Sequence, residues 1–280
     1  MTFQDLLLHV DLSDASALRT DAAIALAAGH EAHLTALCLL AQPYLPTVAS
    51  VSVPAETLGS QLRAAEDEAA ELLARVRARA EAAGVRIELR REAAPIAQLP
   101  QVLATHARYA DLAIVGQPNP EIDGLDDALL AETSFLDTGR PALVVPYVGV
   151  RTMPPERAMV CWSGTRESVR AVHDALPLLR QARRVVVLVV DAARLASQLG
   201  PDPGADLAAH LARHGIAAEA RAVESAGLRV GDVILAEAAA EGTDLLVMGA
   251  FGHSRLRELI IGGVTRQLLK EMTVPVLFSH

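Results

Sequence analysis

Cysteine is scarce in this sequence, and its scarcity excludes several kinds of site. The 280 residues contain two cysteines, Cys38 and Cys161, and both lie within aliphatic stretches. Two cysteines at that spacing match no zinc-binding or thioredoxin-type pattern, so both are predicted to be buried free thiols. The nine histidines have no cysteine neighbours and look dispersed along the chain, so the sequence predicts no metal site.

Basic runs and long apolar runs are missing as well. The 25 Lys and Arg residues are scattered and the net charge is −9, which argues against a surface that tracks nucleic-acid phosphates. The longest aliphatic run, 185–190, is far shorter than the roughly 20 residues that cross a bilayer. The first residues lack the basic and apolar regions of a secretion signal. We expect a soluble, cytoplasmic protein without nucleic-acid or membrane partners.

Apolar residues are plentiful, at 51% of the chain, and they occur in a pattern that repeats. The segments YADLAIVGQ and GTDLLVMGA align Asp111 with Asp244 and Gly116 with Gly249. Similarity on either side of these segments indicates a duplicated unit of about 130 to 150 residues, a size at which each unit can form its own core. The predicted domains are residues 1–148 and 155–280, separated by a short connector stiffened by prolines.

Short aliphatic runs alternate with longer alanine-rich stretches in both units. Uninterrupted apolar runs are typical of strands buried on both faces of a parallel sheet. The predicted strands are 6–10, 34–40, 85–89, 112–115 and 142–145 in the first unit, and 158–162, 185–190, 216–220, 245–248 and 276–278 in the second. Helices lie between them, such as 61–83, whose apolar stripe contains Leu62, Leu72, Leu73 and Val76. The pattern predicts an α/β fold with two doubly wound parallel sheets.

Glycines bracket a loop near the end of the second unit. Gly249 and Gly252 follow the predicted strand 245–248, and after nine further residues come Gly262 and Gly263. Glycines let main-chain N–H groups approach a ligand closely, and a helix starting at about Val264 would point its free N–H groups at the same place. Because ligands of open α/β sheets bind beyond the carboxyl ends of the strands, this loop is a candidate phosphate site.

The stretch GAFGHSRLRELIIGGVTRQLLKEMTVPVLFSH, which follows DLLVM, resembles the universal stress protein family. Nucleotide-binding members of that family carry Gly-x-x-Gly, nine residues, and then Gly followed by Ser or Thr. The resemblance covers nearly all of both units. It implies two such domains in tandem, packed as a pseudo-dimer, each an adenine nucleotide alpha hydrolase-like sheet of strand order 3-2-1-4-5. It also implies ATP or a related adenine nucleotide as the ligand, with or without magnesium.

The candidate nucleotide-binding residues all belong to the second unit. They are Ser163, Gly249, Gly252, His253, Gly262, Gly263, Val264 and Thr265. The resemblance implies that the glycines surround the ribose and phosphates and that Thr265 adds a hydroxyl at the helix start. Asp191, at the end of the strand 185–190, is interpreted as a turn cap, with ligand contact as the alternative. No catalytic residue is predicted, because the sequence has no nucleophile elbow and His253 has no evident partner carboxylate.

Each unit departs from the family pattern in its own way. In the second unit, Gly263 stands where the family has Ser or Thr, and Ser163 stands where the family has Asp directly after the first strand. In the first unit the Asp is present as Asp11, but the loop after the fourth strand begins Gly116-Gln117-Pro118, and prolines supply no N–H donor. The first unit is therefore expected to have lost nucleotide binding and to act as the structural partner of the second.

Two functions remain open at this point. The first is a stress-response regulatory protein that binds ATP or a related adenine nucleotide in the second unit and contacts an unknown protein partner. The alternative is a module with both nucleotide sites degenerate, which binds another small molecule or a protein. In either case the chain is expected not to be an enzyme, with slow ATP hydrolysis as the upper limit. A homodimer of the whole chain is a further open possibility.

Overall fold

Strands and helices alternate along the whole chain. The computed structural model describes residues 2–42, 55–118, 125–250 and 263–280. The elements of the first half are β1 Asp5–Val10, α1 Asp14–His30, β2 His33–Gln42, α2 Ala55–Ala82, β3 Ile87–Pro95, α3 Leu99–Ala107, β4 Leu112–Gly116, α4 Leu125–Leu136 and β5 Ala142–Val145. Those of the second half are β6 Arg157–Cys161, α5 Arg166–Leu179, β7 Arg184–Val190, α6 Ala192–Leu199, α7 Ala205–Arg213, β8 Ala218–Val223, α8 Val230–Ala240, β9 Leu245–Gly249, α9 Gly263–Glu271 and β10 Val276–Ser279.

The order of the strands confirms the predicted topology in both halves. The sheet runs β3-β2-β1-β4-β5 and continues β10-β9-β6-β7-β8, so each half has its own strands in the order 3-2-1-4-5. Within each half the paired strands are parallel. Such connections need a crossover, which the intervening helices provide. All ten predicted strands overlap an observed one.

The two halves meet edge to edge through their fifth strands. β5 and β10 pair antiparallel, with Val276 opposite Val144 and Phe278 opposite Ala142, which makes one ten-stranded sheet. The ring of Phe278 stacks on that of Phe135 from α4, with centroids 4.9 Å apart. Because this junction is antiparallel, the carboxyl ends of the strands lie at opposite edges of the sheet in the two halves.

Helices cover both faces of the sheet, which explains the uninterrupted apolar runs. In β1, Leu6 and Leu8 belong to the hydrophobic core under α1 and α2, whereas Leu7 belongs to the core on the other face. Side chains of a strand alternate between faces, so a strand buried on both sides has to be apolar throughout. Among the described residues, no helix has the length and hydropathy to cross a membrane.

The long helix α2 corrects one detail of the sequence prediction. Leu72, Leu73 and Val76 are buried as expected, but Leu62 is 38% exposed. The 28 residues of α2 span about 42 Å, which is longer than the strands it covers. Its first turns therefore extend past the core, and the predicted apolar stripe ends before it reaches Leu62.

The repeated aspartate of the second half links the starts of two neighbouring strands. Asp244 precedes β9 and accepts hydrogen bonds from the backbone N–H groups of Glu156 and Arg157 at the start of β6, at 3.3 and 3.1 Å. The side chain of Arg151 donates to the same carboxylate at 2.8 Å. The Asp244 side chain is only 5% exposed.

The aspartate of the first half makes the corresponding contacts in a more open position. Asp111 precedes β4 and accepts hydrogen bonds from the backbone N–H groups of Gln4 and Asp5, at 2.8 and 3.2 Å. Its side chain is 36% exposed. The aspartate that reveals the duplication is thus a structural residue in both halves.

Candidate functional site

Two stretches of chain leave the sheet side by side in the second half. β6 and β9 are neighbours, and Cys161 pairs with Met248 at their carboxyl ends. Ser163 follows two residues after Cys161, and Gly249 follows Met248 directly. The sheet therefore brings Ser163 and Gly249, two of the predicted site residues, to the same edge.

The turn after β6 orders its hydroxyl groups around the start of α5. Gly164 has φ of 68°, a left-handed conformation that glycine adopts without strain. The Thr165 hydroxyl caps α5 by accepting from the Ser168 N–H at 3.3 Å. The Ser163 hydroxyl lies 3.2 Å from that of Thr165 and is half-buried at the edge of the sheet. Thr165 therefore serves as the cap of the helix, while the Ser163 hydroxyl lies beside it at the edge of the sheet.

The structure gives Gly249 a packing role. A Cβ atom at this position would lie 2.7 Å from the carbonyl oxygen of Glu167 and closer still to the amide nitrogen of Ser168. Both atoms belong to the backbone of α5, which cannot turn aside as a side chain can. A glycine is required here because the first turn of α5 packs directly on the end of β9.

The far end of the glycine loop forms the first turn of α9. Gly263 is exposed, and a Cβ atom added to it would meet nothing within 4 Å. Val264 is half-buried, and Thr265 is 2% exposed. The first N–H groups of a helix have no partner within it, so this turn offers donors to a ligand. The predicted site residues Gly252, His253 and Gly262 lie outside the described residues.

Asp191, at the end of β7, is buried, and its carboxylate bonds to other protein groups. Its carboxylate accepts from the Ser225 N–H at 2.7 Å and from the Ser225 hydroxyl at 2.9 Å. These two hydrogen bonds hold the pKa of Asp191 below its ordinary value. Although Asp191 is the N-cap residue of α6, its side chain makes no capping bond there. Asp191 therefore joins the ends of β7 and β8.

The first half closes the corresponding edge with an ion pair. Arg19, on α1, is 2% exposed and donates through Nε to the His9 carbonyl oxygen at 2.8 Å and through Nη2 to the Asp11 carboxylate. Its guanidinium occupies the space where a Cβ atom on Gly116 would lie. Burial opposes ionisation of Asp11, but Arg19 and His9 together with hydrogen bonds from Ser13 keep the pKa of that carboxyl below its ordinary value.

The register of the strands identifies the equivalent positions in the two halves. Leu6 pairs with Leu112 in the first half, and Ala158 pairs with Leu245 in the second, in the same parallel arrangement. The two helices that follow, α1 and α5, begin eight residues after Leu6 and Ala158. Counting along the chain from these pairs gives the equivalence of any two residues up to the ends of α1 and α5.

The same count shows what differs at the two edges. Asp11 corresponds to Ser163, and Arg19 corresponds to Ala171, which is buried on α5. The second half thus lacks both members of the ion pair that fills the first. The sequence matched Asp11 to the family pattern but did not indicate Arg19. An arginine within a helix is usually exposed to solvent, so nothing in the sequence marked this one as buried.

Burial of His9 beside Arg19 predicts a measurable pH dependence of stability. Desolvation, and then Arg19, lower the pKa of the His9 imidazole from 6.5 to about 4. A histidine that is neutral when folded destabilises the fold once the unfolded chain binds a proton, so stability falls as the pH drops from 6.5 towards 4. We expect the residue to contribute about 3 kcal/mol to this loss.

Urea unfolding of the wild type and of His9→Gln at about pH 7.5 and pH 4.5 measures this contribution. The variant should lose less stability between the two pH values, by about 2.5 kcal/mol, because pH 4.5 is still slightly above the folded pKa of about 4. Because the equivalent position of the second half is Cys161, no matching term arises there. Equal losses in wild type and variant would show that folding does not lower the pKa of His9, so that the folded protein is protonated at His9 at pH 4.5.

Comparison with known proteins adds the family context. Residues 155–280 match the model of the Universal stress protein family. Universal stress protein Slr1230 of Synechocystis is 59% identical over 34 residues, 12% of either chain. Universal stress protein MJ0577 of Methanocaldococcus jannaschii is 33% identical over 64 residues, 20% of this chain and 40% of that protein. The alignments thus span less than half the length of these curated relatives.

A solved structure matches nearly the entire chain. The crystal structure of a universal stress protein from Archaeoglobus fulgidus superposes with a TM-score of 0.72 and covers 98% of this chain and 97% of that one. The two are 16% identical, so the likeness establishes the fold. Residues 155–280 therefore carry one domain that matches the Universal stress protein family, within a chain that has the overall fold of a solved universal stress protein.

Proposed function

We propose that this protein is a stress-response regulator, a tandem of two universal stress protein domains that binds ATP or a related adenine nucleotide in residues 155–280. The observation that carries the proposal is the difference between the two sheet edges. The first half fills its edge with Arg19 paired to Asp11, whereas the second half has Ala171 and Ser163 at these positions. In this proposal the first half is the structural partner of a single binding half.

The start of α9 provides the phosphate end of the proposed site. Its first N–H groups and the positive end of its dipole favour an anion. Gly263 has no side chain, and the space beside it is open, so an anion can approach the backbone there. These N–H groups can bind the phosphates without a side-chain cation, whether or not magnesium accompanies the nucleotide. The Ser163 hydroxyl, at the end of β6, is available to the nucleoside as donor or acceptor.

Binding without rapid turnover suits this arrangement. Ser163 and the first turn of α9 offer hydrogen-bonding groups, while the carboxylate of Asp191 at this edge is engaged by Ser225 and the imidazole of His280 lies 3.1 Å from the Ala250 carbonyl oxygen. In the proposal, occupancy of the site changes the surface that a protein partner contacts. Calorimetric titration of the purified chain with ATP, with and without Mg²⁺, tests it directly. No heat at millimolar ATP, and no nucleotide released on denaturation, would exclude the proposal.

Restoring a hydroxyl at Gly263 is expected to strengthen binding. Serine fits without a clash, because the space around the missing Cβ is open. A hydroxyl at the start of α9 adds one hydrogen bond to a phosphate oxygen, so Gly263→Ser should lower the Kd for ATP about fivefold, or roughly 1 kcal/mol. Gly263→Ala is the matched control, since it changes the backbone preference in the same direction but adds no donor. A serine variant that binds no better than the alanine variant would contradict this placement of the phosphates.

Transferring the ion pair of the first half to the second is expected to abolish binding. The double variant Ser163→Asp with Ala171→Arg places the residues of the Asp11–Arg19 pair at the positions that correspond to them by strand register. Because the backbone of α5 packs on Gly249 where Arg19 packs on Gly116, circular dichroism and urea unfolding must first show that the variant keeps its fold. Nucleotide affinity unchanged in this variant would mean that the ligand binds elsewhere on the chain.

A further inference from the structure

Three histidines come together on the outer surface of the second half. His173 lies on α5, His210 lies on α7, and His214 caps the end of α7. Their ring centroids are 5.4 Å apart for His173 and His210, 4.7 Å for His210 and His214, and 6.4 Å for His173 and His214. The view of the histidines as dispersed is wrong for these three, and the four-residue spacing of His210 and His214 was the overlooked signal.

One nitrogen of this histidine cluster lacks a partner. Nε2 of His210 is buried, and no described residue forms a hydrogen bond with it. Because an unpaired polar atom in the interior is destabilising, such an atom calls for an explanation. A neutral imidazole nitrogen without a hydrogen-bond partner is a group that can bind a metal ion.

The first half has an ordinary ion pair at the same place. Asp21 on α1 and Arg79 on α2 are 3.3 Å apart. The strand pairing of Leu6 with Leu112 and of Ala158 with Leu245 makes His173 equivalent to Asp21.

The helix before the third strand gives the second equivalence. Leu34 pairs with Ile87 in the first half as Val185 pairs with Ala218 in the second. Counting back from Ile87 and Ala218 makes His210 equivalent to Arg79. The contact between the two outer helices is therefore a carboxylate and a guanidinium in the first half, and two imidazoles in the second.

We propose that His173, His210 and His214 bind a divalent transition-metal ion, such as Zn²⁺, that bridges α5 and α7. Imidazole nitrogens suit Zn²⁺, Ni²⁺ and Cu²⁺, and two histidines four apart on a helix share one face. Nitrogens about 2.1 Å from one tetrahedral ion place their ring centroids roughly 5 to 6 Å apart, and the centroids of these rings lie 4.7 to 6.4 Å apart. Water completes the coordination.

Metal binding requires the rings to turn from their present contacts. The three rings pack edge to face, and no set of three ligating side chains within residues 2–42, 55–118, 125–250 and 263–280 is arranged around an ion as it stands. His173 is exposed and His214 is half-buried, so both have room to adopt another staggered rotamer. The bridge replaces the electrostatic link that Asp21 and Arg79 provide in the first half.

Titration of the untagged, chelator-treated full chain with Zn²⁺ tests the proposal. We expect one equivalent to bind at pH 7.5, and His173→Ala or His210→Ala to weaken binding by a factor of ten or more. His33→Ala is the matched control, since His33 lies at the start of β2 beside Asp5. X-ray absorption of the zinc complex should show three imidazole nitrogens.

A second variant keeps the test decisive if an alanine variant unfolds. His173→Asp with His210→Arg places the ion pair of the first half at the equivalent position, so it should fold with wild-type stability and lose the tight Zn²⁺ equivalent. Zn²⁺ binding by this double variant at wild-type affinity, or the absence of binding by the wild type, overturns the proposal. Nucleotide affinity is expected to be the same in both proteins, which separates this site from the one at the sheet edge.

Discussion

Replacing Gly249 by valine is expected to lower the free energy of unfolding by about 4 kcal/mol, because the added atoms have no room. The obstacle is the backbone of α5, with the carbonyl oxygen of Glu167 at 2.7 Å from the new Cβ and the amide of Ser168 nearer still. Relief requires α5 to move away from β9, which would open the core beneath it. Urea unfolding at neutral pH measures the change.

Gly263 is the matched control for this substitution. It lies beyond the other end of the same loop, and a Cβ atom there meets nothing within 4 Å. Gly263→Ala should leave stability within about 1 kcal/mol of the wild type, on the stabilising side, since alanine favours a helix more than glycine does. If Gly249→Val were as mild as Gly263→Ala, the close packing of β9 on α5 would be incorrect.

Replacing Asp244 by alanine is expected to cost about 4 kcal/mol as well, through loss of hydrogen bonds. The substitution leaves the N–H groups of Glu156 and Arg157 without their acceptor and releases Arg151. The lost carboxylate is only 5% exposed, so water replaces it poorly. The connector between the halves is attached through these contacts, and limited proteolysis should cut the variant there faster than the wild type.

Asp111 provides an internal comparison, because it makes the equivalent contacts at an exposed position. Asp111→Ala should cost about 1 kcal/mol, as water can reach the N–H groups of Gln4 and Asp5 in its absence. The expected difference between the two substitutions rests on burial and on Arg151, which bonds Asp244 at 2.8 Å, whereas Arg140 lies 4.0 Å from Asp111. Equal costs would mean that the carboxylate of Asp244 contributes no more than a surface residue.

The two halves show how one backbone can carry different sites. In both halves a turn follows the first strand, and a hydroxyl group, that of Ser13 or Thr165, caps the next helix. The fourth strand ends in a glycine in both halves. The halves differ in the pair of side chains between these features, an ion pair in one and Ser163 with Ala171 in the other. They also differ in the packing of the glycine, which lies against the Arg19 guanidinium in the first half and against the backbone of α5 in the second. Since the antiparallel junction puts the two edges on opposite sides of the sheet, one ligand cannot span both.

Much of the fold follows from local pattern. The strand 142–145 was predicted to the residue, and the strand 112–115 to within one, because both are buried on two faces and have no polar positions. The third strands were placed less well, with 216–220 predicted and Ala218–Val223 found. β8 is the last strand of the sheet and largely exposed, so its sequence carries a weaker apolar signal.

The candidate site, like the fold, could be predicted only in part from the sequence. Sequence alone pointed to Ser163, Gly249 and the start of α9, because glycines and hydroxyls after strands are informative wherever the sheet order is known. It could not assign Gly249 to helix packing, since the residues that exclude a side chain there are 82 and 81 positions away along the chain, in Glu167 and Ser168.

The sequence by itself indicated the repeated unit, the buried parallel strands and the place of the glycine loop along the chain, because strands buried on both faces must be apolar throughout. The order of the strands was implied by the family resemblance, and the structure confirmed it. Only the tertiary structure decided that β5 and β10 join the halves, that Arg19 closes one edge, and that three histidines meet between α5 and α7. These features depend on contacts between residues distant along the chain, and periodicity along a sequence carries no record of such contacts.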